Sequence, residues 1–406
     1  MNNYGLVLSG GGAKGSYQIG VWKALSEMNI KISTITGTSI GALNGAFLIQ
    51  EDYELLKLAW THFSIDTVLS VDKEKWNNKK MYNKKYFSFL TVIKNLITSG
   101  GIETKPLEEI LRKYIDEEKI RRSNIDFGIN TYSLTDKKPI EIFKEDIPQG
   151  KFVDYLLASS CFPAFKPVEI DEKKYIDGGI HDNLPITMME NKGIKNIIVV
   201  DVGGKHTKKS KPLKDSNVIY IRSNRDLGKT LEIDSEKAKE NIKFGYLDTL
   251  KAFNHLTGIK YYIVYDKKCQ FIKNSLSKAN IEQFFGINNN FPFLYKELLS
   301  KRFFNFIHKY CDSKKRKSNI LSIVEITGNY FNLNSKRIYS VNLLNKKIIN
   351  EYEKINEKDR IYKLINYEQD ERKLKKYRRE ELINNPKMVI AAFYIDFLIK
   401  NKYYPC

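Results

Sequence analysis

The hydrophobic pattern of the first half of the chain switches between two periods. Short apolar, β-rich runs alternate with stretches in which apolar residues recur at helical spacing, a pattern that reads as α/β. Tyr4 to Ser9 predicts a strand, followed by a glycine cluster. A helix from about Ala13 to Met28 places Tyr17, Val21, Ala24, Leu25 and Met28 on one face. Ile32 to Thr36 predicts a second strand, then Gly37 to Gly41 and a helix through about Gln50. Further on, Thr104 to Tyr114 reads as a helix with Thr104 as its N-cap and Pro106 near its start. Ile125 to Leu134 and Pro139 to Phe143 predict paired strands around the Asp136-Lys137-Lys138 turn. Asn196 to Val202, Val218 to Ile221 and Tyr261 to Val264 predict more strands, and Ser235 to His255 a helix.

From about residue 266 the strand-like runs thin out and charged helical segments such as Asn356 to Leu382 take over. The pattern therefore divides the chain into an α/β domain, 1–265, and a basic, mainly helical region, 266–406. Residues 64–101 stand apart. There Lys79, Lys80, Lys84 and Lys85 interleave with Trp76, Tyr82, Tyr86, Phe87 and Phe89. This segment is either a helical excursion packed on the core, or a mobile lid or membrane-facing rim near the active site.

Composition changes this picture in three ways. With 42% apolar and 29% charged residues in 406, the chain is a globular protein with room for two cores. The net charge is +20, and residues 267–406 hold 29 Lys and Arg against 14 Asp and Glu. A basic region of this kind fits an anionic membrane surface or nucleic acid, or simply a Lys-, Asn- and Ile-rich composition throughout. No apolar run reaches the roughly 20 residues that span a bilayer; Met388 to Ile399 is too short and carries Asp396. The start shows no secretory pattern, and Cys161, Cys269, Cys311 and Cys406 form no CxxC pair. These features predict a cytoplasmic or peripheral-membrane location and no metal site, with signal-independent export left open.

Three short motifs carry chemistry. Ser9-Gly10-Gly11-Gly12-Ala13-Lys14-Gly15 lies between a strand and a helix, where backbone amides and the helix dipole favour a phosphate or a developing oxyanion. Gly10, Gly12 and Gly15 also satisfy a dinucleotide fingerprint, but no carboxylate follows the second strand, and Lys14 is followed by Gly15 rather than the Ser or Thr of a Walker loop. Gly37-Thr38-Ser39-Ile40-Gly41 is a GxSxG sequence in strand–turn–helix context, which projects the serine from a strained turn. The plainer alternative is a serine that caps the following helix. Tyr175-Ile176-Asp177-Gly178-Gly179 reads by itself as a turn, but supplies the carboxylate that a serine nucleophile needs.

Taken in order, these three motifs resemble the patatin-like phospholipase family. Ala158 to Val168, ahead of the Asp-Gly-Gly motif, and Asn183-Leu184-Pro185 after it are similar to the family as well, and so is the Gly245-Tyr246 pair. The similarity covers about residues 4 to 265. It implies a three-layer α/β/α sandwich around a mostly parallel sheet. It implies Ser39 as nucleophile, Asp177 as its base, Gly10, Gly11 and Gly12 as the oxyanion loop, and Gly37 and Gly41 as the flanks of the nucleophile elbow. Lys14 sits where the family has a basic residue and is a candidate phosphate contact.

The expected activity is cleavage of fatty-acyl esters, of phospholipase A or lysophospholipase type, through a Ser-Asp dyad and an acyl-enzyme, with no cofactor. Phospholipid or lysophospholipid is the expected substrate, at a peripheral membrane surface and with a protein activator as a candidate partner. The alternatives are a transacylase using the same dyad, and a partner- or nucleic-acid-binding protein on the lipase scaffold; nucleic acid is disfavoured. A dyad leaves His62, His181, His206, His255 and His308 without a catalytic task. His181, four residues from Asp177, is the main candidate for a rival triad.

Overall fold

The structure, a computed structural model, describes residues 3–62, 104–163, 165–203, 212, 214–264, 278–287, 291–310, 319–366 and 370–401. The whole segment 64–101, with its aromatic and lysine cluster, lies outside the described residues. The chain divides into two compact units, Met1–Ala252 and Phe253–Cys406.

The first unit is built on an eight-stranded mixed sheet. Its centre is parallel: β3 (Asp126–Ser133), β2 (Ile32–Thr38), β1 (Tyr4–Leu8), β7 (Asn196–Val200) and β8 (Asn217–Ile221) lie side by side in that order. Leu6, Val7, Leu8 and the Ile197–Val200 run are all buried, as expected of parallel strands covered on both faces. Side chains assign the two coverings. Ile35 and Phe127 meet Gly45 of α2 (Ile40–Ile49), whereas Thr36 and Gly128 point to the opposite face. There Thr36 donates to the Pro185 carbonyl and Gly128 lies under Met188 of α7 (Ile186–Asn191). The α2 face also carries α1 (Ser16–Glu27), which packs along α8 (Ser235–Ala252); Tyr17 donates to Asp248 at 2.9 Å. The layered α/β/α arrangement around a mostly parallel sheet is thus present.

Several elements differ in detail from the sequence pattern. The glycine cluster enters α1 through a 3-10 turn, Gly12–Gly15, so the helix proper begins at Ser16. α3 (Tyr53–His62) ends at the edge of the described residues, and α4 (Lys105–Tyr114) resumes after it; Thr104 stands at its N-cap without a side-chain cap bond. α5 (Glu117–Arg122) precedes β3. β4 (Lys138–Phe143) pairs antiparallel with β3 as expected. Besides α3, α5 and α7, the pattern did not reveal α6 (Phe152–Ser160), β5 (Val168–Ile170) and β6 (Lys173–Asp177). The two strands are three and five residues long and rich in Lys and Glu, so alternation has no room to register.

The second unit holds a three-stranded sheet of β9 (Leu256–Thr257), β10 (Tyr262–Val264) and β11 (Ile338–Ser340) in the order β11-β10-β9. The strand expected at the end of the α/β region therefore pairs with a segment far along the chain, in the second unit. Around the sheet lie α9 (Lys278–Phe285), α10 (Phe293–Tyr310), α11 (Asn319–Tyr330), α12 (Val341–Tyr352), α13 (Arg360–Ile365), α14 (Glu371–Asn384) and α15 (Pro386–Lys400). The expected helical stretch from Asn356 to Leu382 is split between α13 and α14. α15 is buried nearly all round, with Val389, Ile390, Ala391, Ala392, Tyr394 and Ile395 fully enclosed, which explains its apolar run. Among the described residues no helix is long and apolar enough to cross a membrane. Two buried charges are satisfied by backbone. Glu325 accepts from the amides of Ile259, Lys260 and Tyr261 at 2.8–3.0 Å, and Arg378 donates to the carbonyls of Leu364 and Phe284.

Candidate active site

The site is assembled on one edge of β3. A strand has two edges, and β4 occupies one of them from Gly128 to Ser133. The other edge is shared. β2 runs along it in parallel as far as Thr38, opposite Asn130, and β6 runs along it antiparallel, ending with Asp177 opposite Thr131. The C-terminal ends of β2 and β6 therefore meet head to head beside two consecutive residues of β3. Ser39 is the next residue of one, and Asp177 the last residue of the other. The Ser39 hydroxyl donates to the Asp177 carboxyl.

The elbow at Ser39 is strained. Its φ of 56° and ψ of −127° lie in a region that residues with a side chain rarely enter. The turn is possible because its neighbours are small. A β-carbon on Gly41 would lie 2.2 Å from the Leu8 carbonyl oxygen, and one on Gly37 would lie 2.5 Å from the Ala42 nitrogen. Ser39 occupies the N-cap position of α2, but its side chain makes no cap bond; its carbonyl accepts from Ala42 and Leu43 at 2.9 and 3.2 Å. The alternative of a plain capping serine therefore does not describe this residue.

Asp177 is buried, and the desolvation pushes its pKa up to about 6 from an ordinary 3.8. Hydrogen bonds from the Ser39 hydroxyl and the Gly179 amide, the latter at 2.7 Å, oppose the rise without cancelling it. No described histidine contributes. His181 is exposed, and its charge acts on Glu141. His62 lines the cavity, with Nδ1 3.0 Å from the Leu58 carbonyl. His206 lies outside the described residues, and His255 and His308 belong to the second unit.

The glycine loop lies against the same pair. The Gly10 amide donates to the Asn183 carbonyl at 3.3 Å, and Asn183 Nδ2 returns a bond to the Gly10 carbonyl at 3.0 Å. Among the described residues the amides of Gly11 and Gly12 have no such acceptor. Gly12 has φ +56°, and a β-carbon there would lie 2.1 Å from the Thr230 carbonyl oxygen. Lys14 is half-buried, and its pKa is lowered, chiefly by desolvation, against the pull of Asp226 and Asp201.

These groups open into a cavity of about 710 Å³. One part of its wall is polar: Gly10 to Gly12, Lys14, Ser39, Asp177 and Asn183. The other is apolar, including Leu43, Phe47, Leu56, Leu111, Phe162 and Phe165. An ester carbonyl held at the polar part would leave a hydrocarbon chain among the apolar side chains. Among the described residues no cluster of three or more His, Cys, Asp or Glu is placed to hold a metal ion.

Residues 6–189 match the family model described as patatin-like phospholipase. This part of the chain is a patatin-like domain. The curated relatives agree. "Lysophospholipase NTE1" of Kluyveromyces lactis is 31% identical over 200 residues, covering 49% of this chain and 12% of that protein. "Neuropathy target esterase sws" of Drosophila melanogaster is 30% identical over 205 residues, 50% of this chain and 13% of that one. "Patatin-like phospholipase domain-containing protein 7" of Rattus norvegicus is 26% identical over 211 residues, 50% and 14% respectively. The chain thus spans only a small part of the length of these relatives. The crystal structure of VipD from Legionella pneumophila aligns over 100% of this chain and 92% of that one at 15% identity, with a TM-score of 0.38. That global similarity is too low to add to the topology described above.

Two residues of the patatin-like domain that the motifs did not single out hold the site together. Ser159, at the end of α6, accepts from the Ser39 amide, and Asn183 clamps the glycine loop. Both lie in the segments around Asp177 that resemble the family, but nothing in their residue type marked them as different from their neighbours.

Proposed function

We propose that the chain is a serine lipid acyl hydrolase, of phospholipase A or lysophospholipase type, in which Ser39 is the nucleophile and Asp177 its base. The observation that carries this reading is the hydrogen bond from Ser39 to Asp177 at the polar wall of an otherwise apolar cavity. Asp177 takes the Ser39 hydroxyl proton as the oxygen attacks the ester carbonyl. The resulting oxyanion is held by the amides of Gly11 and Gly12; the Gly10 amide, already bonded to Asn183, positions the loop instead. One such donor contributes about 2.7–4 kcal/mol in comparable acyl transfer. Asp177 then returns its proton to the departing alcohol, leaving an acyl-serine. Water next gives a proton to Asp177 and attacks the acyl carbon, and Asp177 reprotonates Ser39 as the fatty acid leaves.

A carboxylate of ordinary pKa is a weak base near neutrality. Burial of Asp177 narrows that gap by lifting it to about 6. The apolar wall suits an acyl chain, each buried methylene of which contributes about 0.8 kcal/mol. Lys14, half-buried and with no ion pair among the described residues, is suited to the phosphate of a head group. The printed names of the relatives, lysophospholipases and a target esterase, support the same substrate class. The lipid would be drawn from a membrane surface, and a protein activator remains part of the proposal.

The test is incubation of the wild-type chain and Ser39→Ala with mixed phospholipids and lysophospholipids, followed by mass spectrometry. Free fatty acid is expected from the wild type alone. Acyl transfer to an added alcohol in place of hydrolysis would make the chain a transacylase. Fluorophosphonate labelling that persists in Ser39→Ala would refute the assignment of the nucleophile.

A further inference from the structure

In the second unit, α10 carries two rows of side chains with different fates. Leu299, Phe303 and Ile307, spaced four apart, are buried in the core of that unit. The adjacent row, Leu294, Leu298 and Arg302, faces out; Leu294 is 72% and Leu298 60% exposed, and Phe293 beside them is 74% exposed. Arg302 reaches the Ile383 carbonyl of α14 at 3.5 Å, so Ile383, 57% exposed, belongs to the same surface. Large apolar side chains this exposed, three of them clustered at the start of α10, are a cost that a folded domain does not ordinarily carry unless something covers them.

We infer that Phe293, Leu294 and Leu298 of α10, together with Ile383 of α14, form a docking face for the surface of an anionic lipid bilayer. Charge selects this occupant. Residues 253–406 hold 30 Lys and Arg against 15 Asp and Glu. On α10 itself Lys296, Lys301 and Arg302 accompany the exposed leucines, against the single acid Glu297, and Arg379 of α14 stands over the Phe291 ring at 5.2 Å. Apolar side chains that enter the acyl boundary beneath a ring of cations at head-group level are the chemistry of an interfacial helix. A second copy of the chain would bring two cationic faces together. Nucleic acid would satisfy the cations, but Leu294, Leu298 and Ile383 offer its bases no stacking plane. The inference does not depend on the dyad.

The test uses the full chain with Ser39→Ala, so that no lipid is consumed, and sedimentation with vesicles of phosphatidylcholine alone or with about one third phosphatidylserine. Binding to the anionic vesicles is expected to exceed binding to neutral ones at least about tenfold and to weaken with salt. Combined Leu294→Ser, Leu298→Ser and Ile383→Ser should reduce it by about tenfold or more without lowering Tm, because these side chains are already in water. Lys301→Glu with Arg302→Glu should reduce binding and flatten its salt dependence. In a Leu294→Trp variant, the emission gained over the parent should shift to the blue on addition of anionic vesicles. The inference fails if the wild type ignores anionic vesicles, or if the triple serine variant binds them as well as its parent. It also fails if the chain is a dimer that the triple variant splits. Hydrolysis of a soluble short-chain ester by chains retaining Ser39 reads the dyad separately, and the triple variant should leave it unchanged.

Discussion

The main-chain N–H of Ser39 donates to the side-chain oxygen of Ser159 at 2.9 Å, and the Ser159 hydroxyl in turn donates to the Asn130 carbonyl at 2.7 Å. A residue from α6 thus ties the strained elbow to β3, the strand that registers both Ser39 and Asp177. Ser159→Ala removes the acceptor and leaves the Ser39 amide without its partner, a loss of about 1–3 kcal/mol. If that energy holds the elbow in its reactive shape, kcat should fall roughly ten- to hundredfold with KM little changed. Steady-state kinetics on a soluble ester, with the rate of fluorophosphonate labelling as a second readout, decides it. An unchanged kcat would make Ser159 a bystander.

Asp177 links activity and stability through pH. Its folded pKa of about 6 lies above the ordinary 3.8, so between those values the folded state binds more protons than the unfolded one. Stability from this group therefore falls as pH rises through the window from about 4 to about 6, by roughly 3 kcal/mol once Asp177 is ionised in both states. Activity runs the other way, because the base must be ionised. kcat/KM should rise through about pH 6 to a plateau. Asp177→Asn should lose at least about a thousandfold in kcat. It should also raise Tm at pH 7.5, with the gain disappearing below about pH 4. Thermal melts of both proteins across pH check this; an Asn variant no more stable than wild type at pH 7.5 would contradict the buried, raised carboxyl.

The glycine loop offers a separate handle. Gly12→Ala places a β-carbon about 2.1 Å from the Thr230 carbonyl oxygen at a positive φ, so the loop must shift. The expected result is a drop in kcat of about a hundredfold or more from the displaced amides, at a stability cost of about 1–3 kcal/mol. Kinetics and a urea melt of the same preparation separate the two effects. Wild-type kcat in a folded Gly12→Ala protein would remove this loop from the oxyanion role.

The histidines test the dyad against a triad. His181→Ala and His62→Ala should each keep kcat/KM within about twofold, since neither contributes to the environment of Asp177. Loss of turnover in a well-folded His181→Ala protein would bring a third group into the mechanism.

The sequence by itself determined the chemistry on offer. The runs around Ser9–Gly15, Gly37–Gly41 and Asp177–Gly179 are local, and their glycines are demanded by turns that only a few residues must make, so residue type and spacing suffice to read them. The central strands β1 and β7 were legible because burial on both faces leaves an almost unbroken apolar run, Leu6–Leu8 and Ile197–Val200. Only the tertiary structure decided that Ser39 and Asp177 meet. That rests on the register of β2 and β6 along a shared edge of β3, and on a short, lysine-rich β6 that no periodicity reveals. It likewise decided that Gly10 is occupied by Asn183, that burial lifts Asp177, and that Tyr262–Val264 joins the second unit. Each of these depends on residues far apart in the chain coming to within a hydrogen bond, and a one-dimensional pattern does not encode that distance.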